Sequence, residues 1–203
     1  KTFEKTKLQK ELNQTGPSKQ YAASPINKAP GDTIWEEYFT NGMPANWYVQ
    51  DNTGNNADWV IQAAGTLPNA DFTTGQTTIA SNSGGNCMLY YSDLYQSPMP
   101  PGGYYDVDAF FQTDGIQVNN FNGVSVDFQQ SFRRCCANSP APVTVLVAST
   151  DSTFATNFQE YDIIGGIATN DASPDPMNMS INISAIAAGY TGKIWLRFHI
   201  QSG

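Results

Sequence analysis

Lys193-Ile194-Trp195-Leu196-Arg197-Phe198-His199-Ile200-Gln201 places Ile194, Leu196, Phe198 and Ile200 on one side of an extended chain, and Trp195, Arg197 and His199 on the other. Successive side chains of a strand point to opposite faces, so this alternation predicts a half-buried β-strand. Met177–Ile183 repeats the pattern, with Met177, Met179, Ile181 and Ile183 inward and Asn178, Ser180 and Asn182 outward. Gly123–Phe128 does so with Val124, Val126 and Phe128 against Ser125 and Asp127. Val143–Ser149 is a strongly apolar run that stops at Thr150-Asp151-Ser152. Shorter runs, bounded by turn residues, lie at Thr33–Phe39, Asp58–Gln62, Thr77–Ser81, Cys87–Tyr91, Tyr104–Thr113 and Tyr161–Ile164. Short strands separated by turn signals predict an all-β chain folded as an antiparallel sandwich. The one helical candidate is a turn at Ala185–Ala188, closed by Gly189. With no sustained helical period over 32–203, α/β nucleotide folds are excluded, and no Gly-rich phosphate loop or G-x-S-x-G sits between a strand and a helix.

The chain has 203 residues, 40% hydrophobic, 12% aromatic and only 14% charged. That charged share is well below the ~25% of an average globular protein, so Asn, Gln, Ser and Thr must supply much of the surface. The aromatic content is too high for a disordered chain, and no apolar run approaches the ~20 residues of a membrane-spanning helix. A single histidine, His199, excludes multi-histidine zinc sites. Charge is unevenly placed. Residues 1–31 hold six lysines against Glu4 and Glu11, a balance of +4, whereas residues 32–203 hold four basic residues against sixteen acids, a balance of −12. The sequence thus divides into a basic polar arm or linker, 1–31, and an acidic body, 32–203. The breaker clusters Thr15–Ser18 and Ala29–Asp32 make the arm irregular. An acidic body argues against nucleic acid, whose binding relies on Lys and Arg at phosphates. If the arm is ordered, its own acidic body or another chain must hold it. The chain opens at Lys1 without an apolar signal core and reads as a mature exported form, although a chain trimmed from a longer one would look the same.

Three cysteines, Cys87, Cys135 and Cys136, leave at least one thiol without an internal partner, and no C-x-x-C spacing points to zinc or thioredoxin chemistry. A disulfide from Cys87 to Cys135 or Cys136 and buried free thiols are equally open readings.

Four groups of residues are candidates for chemistry. Trp35-Glu36-Glu37-Tyr38-Phe39 sets two acids in an aromatic run; either faces solvent, or an oxygen-seeking cation such as calcium offsets the cost of burying it. Asp51-Asn52-Thr53-Gly54-Asn55-Asn56-Ala57-Asp58 is rich in oxygen ligands like a calcium loop, but an Asx turn accounts for it equally well. Asp106 and Asp108 share a face by period-2 spacing; a glycosidase acid and base can have that spacing, as can a turn or a cation site. His199, alternating with core residues, reads as a structural histidine, and Ser149 and Ser152 lack the context of a catalytic triad. No catalytic set results. Trp47, Trp59, Tyr90, Tyr91, Tyr95, Tyr104 and Tyr105 could form a docking surface for sugar or protein, with core packing as the simpler role.

The order of these motifs resembles the cleaved-adhesin/choice-of-anchor J group of MAM-like jelly-roll domains, found in secreted surface proteins of Bacteroidota. Glu37-Tyr38-Phe39 through Gly42-Met43-Pro44-Ala45-Asn46-Trp47 is similar to that group's opening segment, and Asp108-Ala109-Phe110-Phe111-Gln112-Thr113 to its D-x-W-L-x-T/S strand. Val124–Phe128 and Val143–Thr150 resemble the paired strands that follow, and Ile181–Ser184 with Gly192–His199 the closing run. Phe110 and Phe111 depart from the usual Trp and Leu. The resemblance implies a jelly roll over 32–203 and a structural calcium held by Glu37 and Asp108, with Asp106 nearby. Separately, Asp32-Thr33-Ile34 and Asp151-Ser152-Thr153 resemble the Asp-Ser/Thr-apolar O-glycosylation signal of Bacteroidota, which implies O-glycosylation at Thr33 and Ser152. In that group a further aromatic strand with paired aspartates follows the closing run; its absence implies an open C-terminal edge completed by something else.

The expected function is a non-catalytic, extracellular adhesion or carbohydrate-binding module that docks protein or glycan at the bacterial surface. The alternatives are a structural subunit of a type IX secretion-linked surface assembly, contacted through the 1–31 arm and the C-terminal edge, or an accessory domain of a secreted hydrolase.

Overall fold

The structure, a computed structural model, describes residues 15–16, 31–66, 78–81, 85–95, 106–134 and 143–202. In chain order its elements are β1 (Thr15–Gly16), β2 (Met43–Pro44), β3 (Tyr48–Asp51), β4 (Val60–Ala63), β5 (Gly65–Thr66), β6 (Thr78–Ile79), β7 (Asn86–Leu89), α1 (Ser92–Tyr95), β8 (Val107–Gln112), β9 (Ile116–Gln117), β10 (Ser125–Gln130), β11 (Val143–Ser149), β12 (Phe158–Asp162), β13 (Met177–Asn182), α2 (Ser184–Ala187) and β14 (Lys193–Ser202). Among the described residues the chain is all-β apart from two one-turn helices, as its periodicity predicts.

The principal sheet has the order β12-β11-β14-β8-β3, with β9 also paired to β14, and every pairing is antiparallel. Register carries one row of side chains across it: Tyr161, Leu146, Phe198, Phe111 and Val49 stand opposite one another in turn. This row lies on the inner face. Over it lie two antiparallel pairs, β10 with β13 and β4 with β7. Val126, Phe128, Met179 and Ile181 of the first pair pack on a core of Leu146, Ala148, Ile163, Ile183, Ile194 and Leu196. Ile61 and Met88 of the second pack with Met43, Trp47 and Phe111. Trp35 and Phe198 touch both clusters and join them. Fully burying one such aliphatic side chain is worth about 1.5–3 kcal/mol. Two layers facing through apolar side chains are consistent with the expected sandwich, although among the described residues the second layer is two separate pairs.

Strict alternation locates its strands well. Val143–Ser149 is a strand over its whole predicted span, and Met177–Asn182 and Lys193–Ser202 differ from prediction by a residue or two at their ends. Thr33–Phe39 is not a strand. Trp35 and Phe39 instead pack on Trp47 from an extended loop, with ring centroids at 5.6 and 5.5 Å, and Phe39 adopts a left-handed φ of 53° where the chain turns.

The last described strand, β14, is interior: it runs between β11 on one side and β8 with β9 on the other, so among the described residues the edges of this sheet are β12 and β3. Of the 1–31 arm, Thr15–Gly16 pairs in parallel with Met43–Pro44, which places that short piece against the body; residues 1–14 and 17–30 lie outside the described residues.

Candidate functional site

The outer face of the principal sheet carries the chemistry. Register gives its rows: Phe158, Ser149 and Trp195; then Glu160, Val147, Arg197, Gln112 and Tyr48; then Asp162, Val145, His199, Phe110 and Gln50. Val147, Phe110 and Gln112 are buried here although they face away from the core. Arg197 covers Phe110 and Gln112. Its guanidinium lies 3.8 Å from the Phe110 ring centroid and 4.1 Å from that of Phe154, clasped between two aromatic faces. Its Nε and Nη2 donate to Gln112 Oε1 at 3.3 and 2.8 Å, and the Tyr48 hydroxyl donates to the same oxygen at 2.8 Å. Gln112 Nε2 donates to the Ser152 carbonyl at 3.1 Å, which ties the sheet to the loop carrying Phe154. Burial holds the Arg197 guanidinium below its usual range, against the pull of Tyr48.

Beside this row, His199 Nε2 lies 2.7 Å from Asp108 Oδ1, which also accepts from Asn52 Nδ2 at 2.8 Å. The His199 ring stands edge-on to Phe110. Asp108 is the hydrogen-bonding partner of His199 among the described residues, and the pair holds the ring in place.

Of the other sequence-derived candidates, Glu37 Oε1 accepts from the Phe39 amide at 2.6 Å, and Glu36 accepts from the Tyr38 hydroxyl at 3.1 Å. Asp106 is exposed, and its carbonyl accepts from Asn55 Nδ2. Among the described residues no group of three or more His, Cys, Asp or Glu is placed to hold a metal ion. Thr33 and Ser152 are both exposed. Cys87 is a free thiol whose Sγ lies 3.4 Å from the Gln62 carbonyl oxygen; burial, with the Asp175 carboxylate adding to it, pushes its pKa up to about 11. Cys135 and Cys136 lie outside the described residues.

The aromatic candidates divide. Trp47, Tyr91 and Tyr95 are buried, Trp59 and Tyr90 half-buried, and Tyr104 and Tyr105 outside the described residues. Burial lifts the hydroxyl pKa values of Tyr90 and Tyr95, and the Tyr95 hydroxyl donates to the Asp58 carbonyl. The rings that reach solvent are others: Tyr38, 51% exposed, Phe158, 47%, and Tyr48, 43%. For Tyr48 the signal was present in Trp47-Tyr48-Val49, where alternation turns the middle ring outward.

Two loops flank the site and share one construction. Asp51 Oδ1 accepts from the Thr53 amide and hydroxyl at 2.8 and 2.6 Å, and Oδ2 from the Ala57 amide at 3.1 Å. Asp151 Oδ1 accepts from the Thr153 amide and hydroxyl at 2.9 and 2.8 Å, and Oδ2 from the Thr156 amide and hydroxyl, both at 3.1 Å. The Asp51 segment is thus an Asx-type turn closed by its own carboxylate. Burial pushes Asp51 up, but the Thr53, Ala57 and Asn56 hydrogen bonds outweigh it and leave the pKa below the usual value. Asp151 falls further, to about 2, chiefly through the Thr153 amide and hydroxyl. A carboxyl with a depressed folded pKa stabilises the fold above its unfolded value, about 3.9, and gives that up as pH falls through the folded one. Asp151→Ala is therefore expected to lower the melting temperature at pH 7, and the difference from the parent should shrink between about pH 4 and pH 2. Paired thermal melts across that range test this; a difference independent of pH would contradict it.

No family model and no curated protein matches the chain. Among solved structures it is similar to the K1 cleaved adhesin domain of Lys-gingipain (Kgp) from Porphyromonas gingivalis W83, at 20% identity and a TM-score of 0.46, covering 81% of this chain and 91% of that one. Among the described residues no helix is long and apolar enough to cross a membrane.

Proposed function

We propose that this chain is a non-catalytic extracellular binding module that docks protein or glycan at the bacterial cell surface through the outer face of its principal sheet. The supporting observation is that face's make-up. The exposed rings of Tyr48 and Phe158 stand on opposite edge strands, with the Arg197 clasp and the His199–Asp108 pair between them. Four strand spacings of about 4.8 Å separate those edges by about 19 Å, room for an extended ligand. Rings with a polar tip suit a wet interface, and a guanidinium held by two aromatic faces and Gln112 loses little freedom when it engages a ligand. The motif resemblance to adhesin-type domains points the same way.

The test is a glycan array together with a panel of immobilised extracellular glycoproteins, probed with the parent chain and with Tyr48→Ala. Binding by the parent and at least a roughly tenfold weaker Kd for the variant, measured well below the melting temperature of each, is the expected result. Absence of parent binding on both surfaces, or equal binding by the variant, would overturn the reading.

A further inference from the structure

The β12 edge of the principal sheet has a feature that the outer-face reading does not use. The Thr150 amide donates to the Asn157 carbonyl and the Ile163 amide to the Thr144 carbonyl, both at 3.3 Å. These bonds fix the phase of the β11–β12 ladder, so Gln159 and Tyr161 bond to β11. The backbone N–H and C=O groups of Phe158, Glu160 and Asp162 therefore point away from the sheet. Their one internal engagement among the described residues is at the Glu160 carbonyl, which accepts from the Gln159 side chain at 3.1 Å. Phe158, Gln159, Glu160 and Asp162 are all exposed, while α2 packs against this strand, with Ile186 and Tyr161 in the same core cluster. Unpaired ladder groups in a row are a template for another strand.

Charge selects that strand. Phe158, Glu160 and Asp162 share the outer face, so an added strand would meet two carboxylates and one ring at alternate positions. A second copy pairing antiparallel about this edge would set Glu160 and Asp162 against their own kind, and like charges directly opposite destabilise a ladder. Lysine or arginine opposite them stabilises it. We propose that β12 is an acceptor edge for an extended segment of a partner polypeptide carrying Lys or Arg at alternate positions, bound by strand addition. The acids that keep copies of this chain apart are then the specificity element.

The probe is a synthetic ten-residue peptide alternating lysine with valine, and its control is the same peptide N-methylated at every internal amide, which keeps the charge but leaves no backbone donor for a ladder on either edge. The expected result is binding of the first peptide only, with slowed amide exchange at Phe158, Glu160 and Asp162 measured by NMR. Glu160→Lys/Asp162→Lys should weaken binding by at least about tenfold. Glu160→Pro should abolish it, since the amide it removes bonds nothing among the described residues. Equal binding of the N-methylated peptide, or binding without protection of these three amides, would reduce the effect to bulk attraction for an acidic protein and overturn the proposal. Tyr48→Ala leaves this edge intact, so peptide binding should survive in that variant even if the outer-face reading fails.

Discussion

Phe111→Ala is expected to lower the free energy of unfolding by about 3–5 kcal/mol, the range for emptying a buried aromatic site. Phe111 is buried at the meeting point of a ring cluster: stacked on Phe198 at 4.7 Å and on Trp47 at 6.0 Å, with Trp59 edge-on at 4.9 Å. Phe198 in turn meets Phe128 edge-on at 5.2 Å, so the cluster extends from the principal sheet into the β10–β13 pair. Large flat rings cannot close over a missing neighbour without leaving their rotamers, so the cavity persists. Phe111→Leu keeps most of the volume and should cost roughly 1–2 kcal/mol. Urea titration at constant m-value measures both. A loss under about 1 kcal/mol for the alanine variant would mean that the rings are not a cooperative centre.

Arg197→Lys is expected to cost about 1–3 kcal/mol while leaving the charge in place. An ammonium cannot lie flat between Phe110 and Phe154, nor give Gln112 Oε1 the two donors it receives from Nε and Nη2. Arg197→Ala should cost at least as much, because it also opens a gap over Phe110. Stacking acts at short range, so these losses should hold in 1 M salt, where the Debye length is about 3 Å. Urea titrations in low and high salt decide the matter. A lysine variant as stable as the parent, or a loss abolished by salt, would show that charge alone matters at this position.

The sequence made legible what depends on local period. Where one face of a strand is buried and the other wet, every second residue records it, and Met177–Asn182 and Lys193–Ser202 were readable for that reason. Thr33–Phe39 failed on the same physics. Aromatic residues favour strands because they favour burial, and Trp35 and Phe39 achieve burial from a loop. β3 was hidden among Pro44, Asn46, Asn52 and Gly54, whose turn character masks four residues of strand. The site was less legible than the fold. That Asp108 and His199 lie near core strands was visible, but their pairing depends on register between segments 91 positions apart. The Arg197 clasp needs Phe154, a loop residue at a left-handed φ of 58° that no strand pattern includes. Strand order was likewise out of reach, because alternation tells which face a side chain occupies and not which strand lies alongside.

The interior position of β14 has a consequence for synthesis. Among the described residues β8 and β11 share no partner except this strand, so a ribosome must have released almost all of the described chain before the two halves of the principal sheet can be joined. Pairing that late in the chain closes long loops and is slow. Until residues 193–202 arrive, the growing polypeptide exposes two unjoined sheet edges and an apolar face, which makes it prone to association before this strand joins them.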